Sequence, residues 1–177
     1  MLAEFGYLNA SFARIGKHAG ISPSLISYHF ENKEELCQQV FLSLSIDRLA
    51  YLQGVVDRQQ TWTDKLYALL EADIRKTASQ PKQFQASVEV IFGMRNEQGA
   101  MVYDGDVDNP LFLMWLEILQ QGQKAGEFGD FDAYCLTQVV EGARDTFLAQ
   151  LPLRPSFDME RFIKTLHGMV ARTVAKT

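Results

Sequence analysis

The stretch GISPSLISYHFENKEEL, from Gly20 to Leu36, carries two helix-start signals ten residues apart. Ser22 followed by Pro23 is one: a side-chain cap, then a residue whose missing N–H costs nothing at the first helical position. Asn32 with Glu35 three residues on is the other, in the pattern of a capping box. Only a short helix fits between them, spent by His29 or Phe30. Upstream, Ser11 caps a segment that Gly20 stops after about Ala19. Two short helices joined by Ala19-Gly20-Ile21-Ser22 predict a helix-turn-helix, with Ile15, Ala19, Ile21 and Ile26 as its small core.

The rest of the chain repeats the same grammar. Apolar residues recur at helical spacing, strand signals are scarce, and the breaks are short and capped. A first fragment at 1–6 closes at Gly6. A long helix runs from Asn32 to about Arg58, followed by helices at about 63–79, 82–97, 110–125, 132–151 and 158–175. The fold class expected is all-α: an N-terminal helix-turn-helix domain followed by a larger helical domain. The division falls at residues 1–40 (motif about 11–30) and 41–177.

Charge is unevenly spread. The whole chain holds 17 basic and 22 acidic residues, for a net −5. Residues 1–33 hold Arg14, Lys17 and Lys33 against Glu4 and Glu31, so the remaining 14 basic and 20 acidic residues all lie beyond. The N-terminal piece is the only part that a polyanion does not repel. No apolar run reaches membrane-span length and no signal peptide is present, so a cytoplasmic location is expected, without a membrane partner. Cys37 and Cys135 lie far apart and read as buried thiols in a reducing compartment.

Within the motif, the helix from Pro23 to His29 presents Ser24, Leu25, Ser27 and Tyr28 outward. Short or planar side chains of this kind fit base edges in a major groove. The helix starts at Ser11, Ser22 and Asn32 offer free N–H groups to phosphate, and Lys33 and His29 add cationic or donor contacts. The DNA-binding candidates are therefore Ser11, Ser22, Pro23, Ser24, Leu25, Ser27, Tyr28, His29 and Lys33. The bland alternative for this motif is a structural helix pair, and the stacked caps favour DNA.

The segment SFARIGKHAGISPSLISYHFENKEEL resembles the DNA-binding domain of TetR-family transcriptional regulators. The resemblance rests on Ser11, Ile15, Ala19-Gly20-Ile21-Ser22, Tyr28-His29-Phe30 and Lys33-Glu34-Glu35-Leu36. It implies a ligand-responsive regulator, a repressor released from a palindromic double-stranded operator by a small effector, with a C-terminal ligand-binding and dimerisation domain. LISYHF stands closest to members that resemble choline-responsive betaine regulators. There are two departures. Only MLAEFGY stands where the family has a full first helix, often preceded by basic residues; either residues upstream are missing or the start is unusual. Ser27 stands where the family more often has Tyr or another large residue.

Apolar residues on more than one face of the last two helices predict a homodimer through them. One face holds Leu136, Val140, Ala143 and Phe147, another Val139, Gly142 and Thr146, and the final helix adds Phe162, Leu166, Met169, Val170 and Thr173. A small, largely apolar effector is expected between about Pro81 and Gln150. Its candidate lining is Phe92, Trp115, Tyr134, Gln138 and Glu141, with Arg144 as a further group that orients a polar end. The structural reading of Glu141, Arg144 and Asp145 is an intrahelical ion pair. Asp104, Asp106 and Asp108 match the first ligands of a calcium loop, but Asn109 stands where Gly is needed and Trp115 where the closing Glu belongs. A solvated acidic loop is the better reading. No metal or cofactor motif and no catalytic constellation appears, so an enzyme is not expected. The competing function class is a helical binding protein with the same fold and no working DNA contacts.

Overall fold

The computed structural model describes residues 1–96, 98–102, 109–154 and 156–176. The calcium-like stretch 103–108 lies outside them. The described residues are helical and carry no strand; Arg95 and Met101 make a single antiparallel bridge. The chain divides into two compact units: Met1–Asp47 with Lys82–Asp104, and Arg48–Pro81 with Gly105–Thr177.

The first unit begins with α1 (Leu2–Phe5), closed by Gly6, and α2 (Phe12–Ala19), capped by the Ser11 hydroxyl, which accepts from the Arg14 N–H. α3 (Pro23–His29) follows, with the Ser22 hydroxyl accepting from the Leu25 N–H. α4 (Lys33–Val56) starts in this unit and ends in the other. α6 (Pro81–Gly93) supplies the remaining helix. Tyr7, Cys37, Val90 and Met94 form a buried core here, with Leu2, Leu36 and Phe41 packed against it.

The turn between α2 and α3 differs from the sequence expectation in its core. Ile26 is buried and Ile15 half-buried, but Ala19 and Ile21 are exposed. Gly16 takes their place. A Cβ there would lie 2.7 Å from the Ile21 carbonyl oxygen and 3.3 Å from the Pro23 nitrogen, so the turn's backbone itself packs on α2. Gly20 lets the chain reverse, with φ 73 in the left-handed region. The capping box is also redistributed. Asn32 Oδ1 accepts from the Glu35 N–H at 2.8 Å, but the Glu35 carboxylate reaches the Glu31 N–H rather than that of Asn32.

α6 ends earlier than the expected 97. Asn96 accepts from the N–H groups of Gln98 and Ala100 through its side chain, an alternative to helical bonding that such residues favour.

The second unit holds the end of α4 with α5 (Trp62–Ala78), α7 (Pro110–Lys124), α8 (Ala133–Gln150) and α9 (Met159–Val174). Caps again set the starts: Thr61 for α5, Asn109 for α7, Asp132 for α8 and Asp158 for α9. The start of α5 is further held by the Glu127 carboxylate, which accepts from the N–H groups of Trp62 and Thr63. α5 packs on α7, α8 and α9, and α7 packs on α8. Leu52, Leu66, Leu69, Ile74, Phe112, Trp115, Leu119 and Val170 are buried in this core. At roughly 25 cal/mol per Å² of apolar surface, such burial is the main favourable term. Phe147 stacks on Phe162 with ring centroids 4.0 Å apart. Cys37 is buried as expected, but Cys135 is exposed because it faces outward in the first turn of α8.

Candidate DNA-binding surface and effector site

Local sequence dictates which face of α3 is exposed. Pro23 fixes the first turn of α3, and Ile26 anchors its one buried side. Everything else on a seven-residue helix must then point away. Ser24, Leu25, Ser27 and Tyr28 are exposed, Tyr28 at 83%. The Ser27 hydroxyl donates to the Ser24 carbonyl, and the Tyr28 ring meets His29 edge-on at 5.0 Å. Ser11, Ser22, Pro23 and His29 are exposed as well. Each side-chain cap satisfies one N–H of its helix start and leaves others open to an incoming oxygen.

Lys33 stands differently from the other DNA candidates. Its ammonium lies 4.2 Å from the centre of the Tyr7 ring, donates to the Tyr7 carbonyl at 3.5 Å and is 4.0 Å from Glu34 Oε1. The Tyr7 hydroxyl donates to that same Glu34 oxygen at 2.9 Å. Burial and the neighbouring carboxylate push the Tyr7 hydroxyl well above the ordinary tyrosine range. Burial likewise pushes the Cys37 thiol up, to about 11, so it stays a thiol.

Of the effector candidates, four fall in the second unit. Trp115 is 1% exposed, and its indole nitrogen has no hydrogen-bond partner. Tyr134 meets Phe112 edge-on at 5.1 Å, and Gln138 donates to the Tyr134 hydroxyl at 3.5 Å. Glu141 is half-buried. Phe92 belongs to the first unit, where its side chain is 60% exposed.

The ion pair on α8 is larger than its own helix. Arg144 is 3.5 Å from Glu141 and bonds Asp145, but it also donates to Asp73 Oδ2 on α5 at 2.7 Å. Arg48, from the end of α4, donates to the other oxygen, Oδ1, at 2.9 Å. Burial alone would raise the Asp73 carboxyl, but Arg144 and Arg48 overcome it and hold the group below the usual carboxylate range. Burial pushes Glu141 the other way, up, only partly offset by Arg144. Arg48 and Asp73 stand outside the sequence expectation, although the sequence does carry a signal for them. Leu66, Leu69, Leu70, Asp73, Ile74 and Thr77 follow one another at core spacing along α5, and an acid in that stripe needs a buried cation.

Among the described residues no group of three or more His, Cys, Asp or Glu side chains is placed to hold a metal, and no helix is long and apolar enough to cross a membrane. A capped, outward-facing short helix set on a second short helix forms a helix-turn-helix, here accompanied by a helical second unit.

Comparison with known proteins places it more closely. Residues 1–40 match the model of the bacterial regulatory proteins of the tetR family. The fold is shared along nearly the whole chain with a tetR-family regulatory protein from Rhodococcus RHA1, at TM-score 0.80 and 18% identity, covering 99% of this chain and 92% of that one. A TetR-family regulator from Marinobacter aquaeolei VT8 gives 0.79 and 19%, covering 99% and 90%. The transcriptional regulator FadR from Bacillus subtilis, in complex with stearoyl-CoA, gives 0.68 and 15%, covering 98% and 94%. No curated protein matches the sequence. Residues 1–40 are thus similar to the DNA-binding domain of tetR-family regulatory proteins, and the whole chain shares the fold of such regulators.

Proposed function

We propose that this protein is a cytoplasmic homodimeric repressor that leaves a palindromic operator when a small, largely apolar effector binds. DNA contact belongs to residues 1–40, and effector binding and dimerisation to 41–177. The observation that carries the reading is the exposed face of α3, where Ser24, Leu25, Ser27 and Tyr28 stand clear of the core on a helix too short to serve any packing role but that of Ile26. Ser11, Ser22, Pro23, His29 and Lys33 are assigned to the flanking backbone. The effector site is assigned to Trp115, Tyr134, Gln138 and Glu141 on α7 and α8 of the second unit. The unpartnered indole N–H of Trp115 and the half-buried carboxylate of Glu141 offer a polar end to an otherwise apolar guest. The stearoyl-CoA held by the Bacillus subtilis FadR supports a long apolar body as one class to test.

The effector must prefer the conformation that is poor at binding DNA, since equal affinity for both conformations shifts nothing. The test has two stages. A duplex selected by the protein from a random pool should be palindromic and bound in a salt-dependent manner. A thermal-shift panel of acyl-CoAs and apolar metabolites should then yield a compound that both stabilises the protein and releases that duplex. Failure to retain any duplex at low salt would sink the DNA reading. A stabilising compound that leaves DNA affinity unchanged would sink the switch.

A further inference from the structure

Tyr7 lies outside the helix-turn-helix, yet it touches the lysine at the start of α4. It is 5% exposed, packed with Cys37, Val90 and Met94, and its N–H donates to Glu89 Oε2 at 3.0 Å. Its position is therefore fixed from both the main chain and the side chain. From that fixed position it makes three contacts to two neighbouring α4 residues: ring and carbonyl to Lys33, hydroxyl to Glu34.

We propose that Tyr7 is a positioning residue for DNA binding: its ring and carbonyl seat the Lys33 ammonium, and its hydroxyl holds the Glu34 carboxylate off it. This rests on the assignment of Lys33 to a DNA phosphate. An ammonium has three donors. The Tyr7 carbonyl takes one and the ring face attracts the cation, which leaves donor capacity for an outside oxygen. A lysine held in this way has surrendered much of its side-chain freedom before DNA arrives, so less is lost on binding.

Glu34 is the competitor. Its Oε1 is 4.0 Å from the ammonium but 2.9 Å from the Tyr7 hydroxyl. A carboxylate satisfied by a hydroxyl has less reason to close on the lysine. Without that hydroxyl it would approach Lys33 and cancel the charge that a polyanion meets.

The experiment measures anisotropy of a fluorescent mixed-sequence duplex with the whole chain across a NaCl series. The slope of log affinity against log salt reports how many phosphates the protein neutralises, at about 0.9 for each one on B-DNA. Lys33→Ala should lower the slope by about 0.9, the share of a single phosphate. Tyr7→Phe keeps the ring and should lower affinity and slope in the same direction. Tyr7→Phe/Glu34→Gln should restore both, by more than Glu34→Gln changes them in the parent chain. A purely structural role for the hydroxyl would lower the melting temperature and leave the slope alone.

A parent-like slope in Tyr7→Phe, alongside a reduced one in Lys33→Ala, overturns the proposal and leaves the Lys33 assignment standing. Weaker binding in Tyr7→Phe without rescue by Glu34→Gln overturns it as well. An unchanged slope in Lys33→Ala removes the Lys33 assignment, and the proposal with it.

Discussion

Asp73 is fully buried and spends one carboxylate oxygen on each of two arginines from two other helices. Removing its charge leaves Arg144, itself nearly buried, with only its α8 neighbours Glu141 and Asp145. Asp73→Asn should therefore cost about 3–5 kcal/mol of stability, the range for breaking one side of a buried pair, read from urea unfolding. The two acids of this cluster titrate in opposite directions. Asp73 is depressed, so its contribution is present above the ordinary carboxylate pKa and is lost as pH falls through its folded value. Glu141 is raised, so it favours the folded state below the ordinary carboxylate pKa, and that contribution disappears as pH rises through its raised value. Lowering pH from neutral should first stabilise the protein through Glu141 and then destabilise it through Asp73. Glu141→Gln should abolish the first phase and keep the second in a pH series of unfolding curves. A Glu141→Gln chain that retains the mild-acid gain would show that another group causes it.

At the scale of the element, the caps decide where helices begin, and they explain why so many boundaries were legible. Ser11, Ser22, Asn109 and Asp132 each accept from the first turn of the helix they open, and each choice is written in two or three adjacent residues. Ser22→Ala removes the α3 cap and should cost about 1 kcal/mol, measured by thermal or urea unfolding. The same helix supplies the specificity prediction. Changes at Ser24 or Leu25 should alter which base pairs the selected duplex contains, a good base contact being worth roughly 1–3 kcal/mol. Ser11→Ala should weaken all duplexes alike. A preserved base preference after Ser24→Ala and Leu25→Ala would move the reading face elsewhere on α3. Less was legible where the decision is not local. The end of α6 depends on the Asn96 side chain folding back on Gln98 and Ala100, and the turn after α2 depends on Gly16 meeting the backbone of Ile21. Neither shows in periodicity, because periodicity reports which face is apolar and not which backbone atoms touch.

At the scale of the whole molecule, the second unit leaves apolar and small residues uncovered on its last long helices. Val139 on α8 is 57% exposed and Met169 on α9 is 50% exposed; Gly142, Thr146 and Thr173 are exposed beside them. Sedimentation should report a dimer at micromolar concentration, and Val139→Glu with Met169→Glu should shift it to monomer while the unit stays folded. A monomeric parent chain would remove the two-site geometry that a palindromic operator requires. The exposed face of α3 was legible residue by residue because a helix this short, anchored at Ile26, leaves few alternatives. The polar centre of the second unit was only half legible. Arg144, Glu141 and Asp145 share a helix and declare themselves by spacing, but Asp73 and Arg48 join them only through tertiary packing.

That shared carboxylate also constrains how the protein can change over generations. With Asp73 divided between Arg48 and Arg144, losing the acid takes the shared counter-charge from two arginines, and losing either arginine leaves one buried carboxylate oxygen without its donor. Single-step paths out of the trio pass through poorly folded intermediates. Positions 48, 73 and 144 should therefore be inherited as a block. Relatives that abandon it should be apolar at all three positions together, and a lineage caught with only two of them should show a compensating acid or base within reach of the orphan.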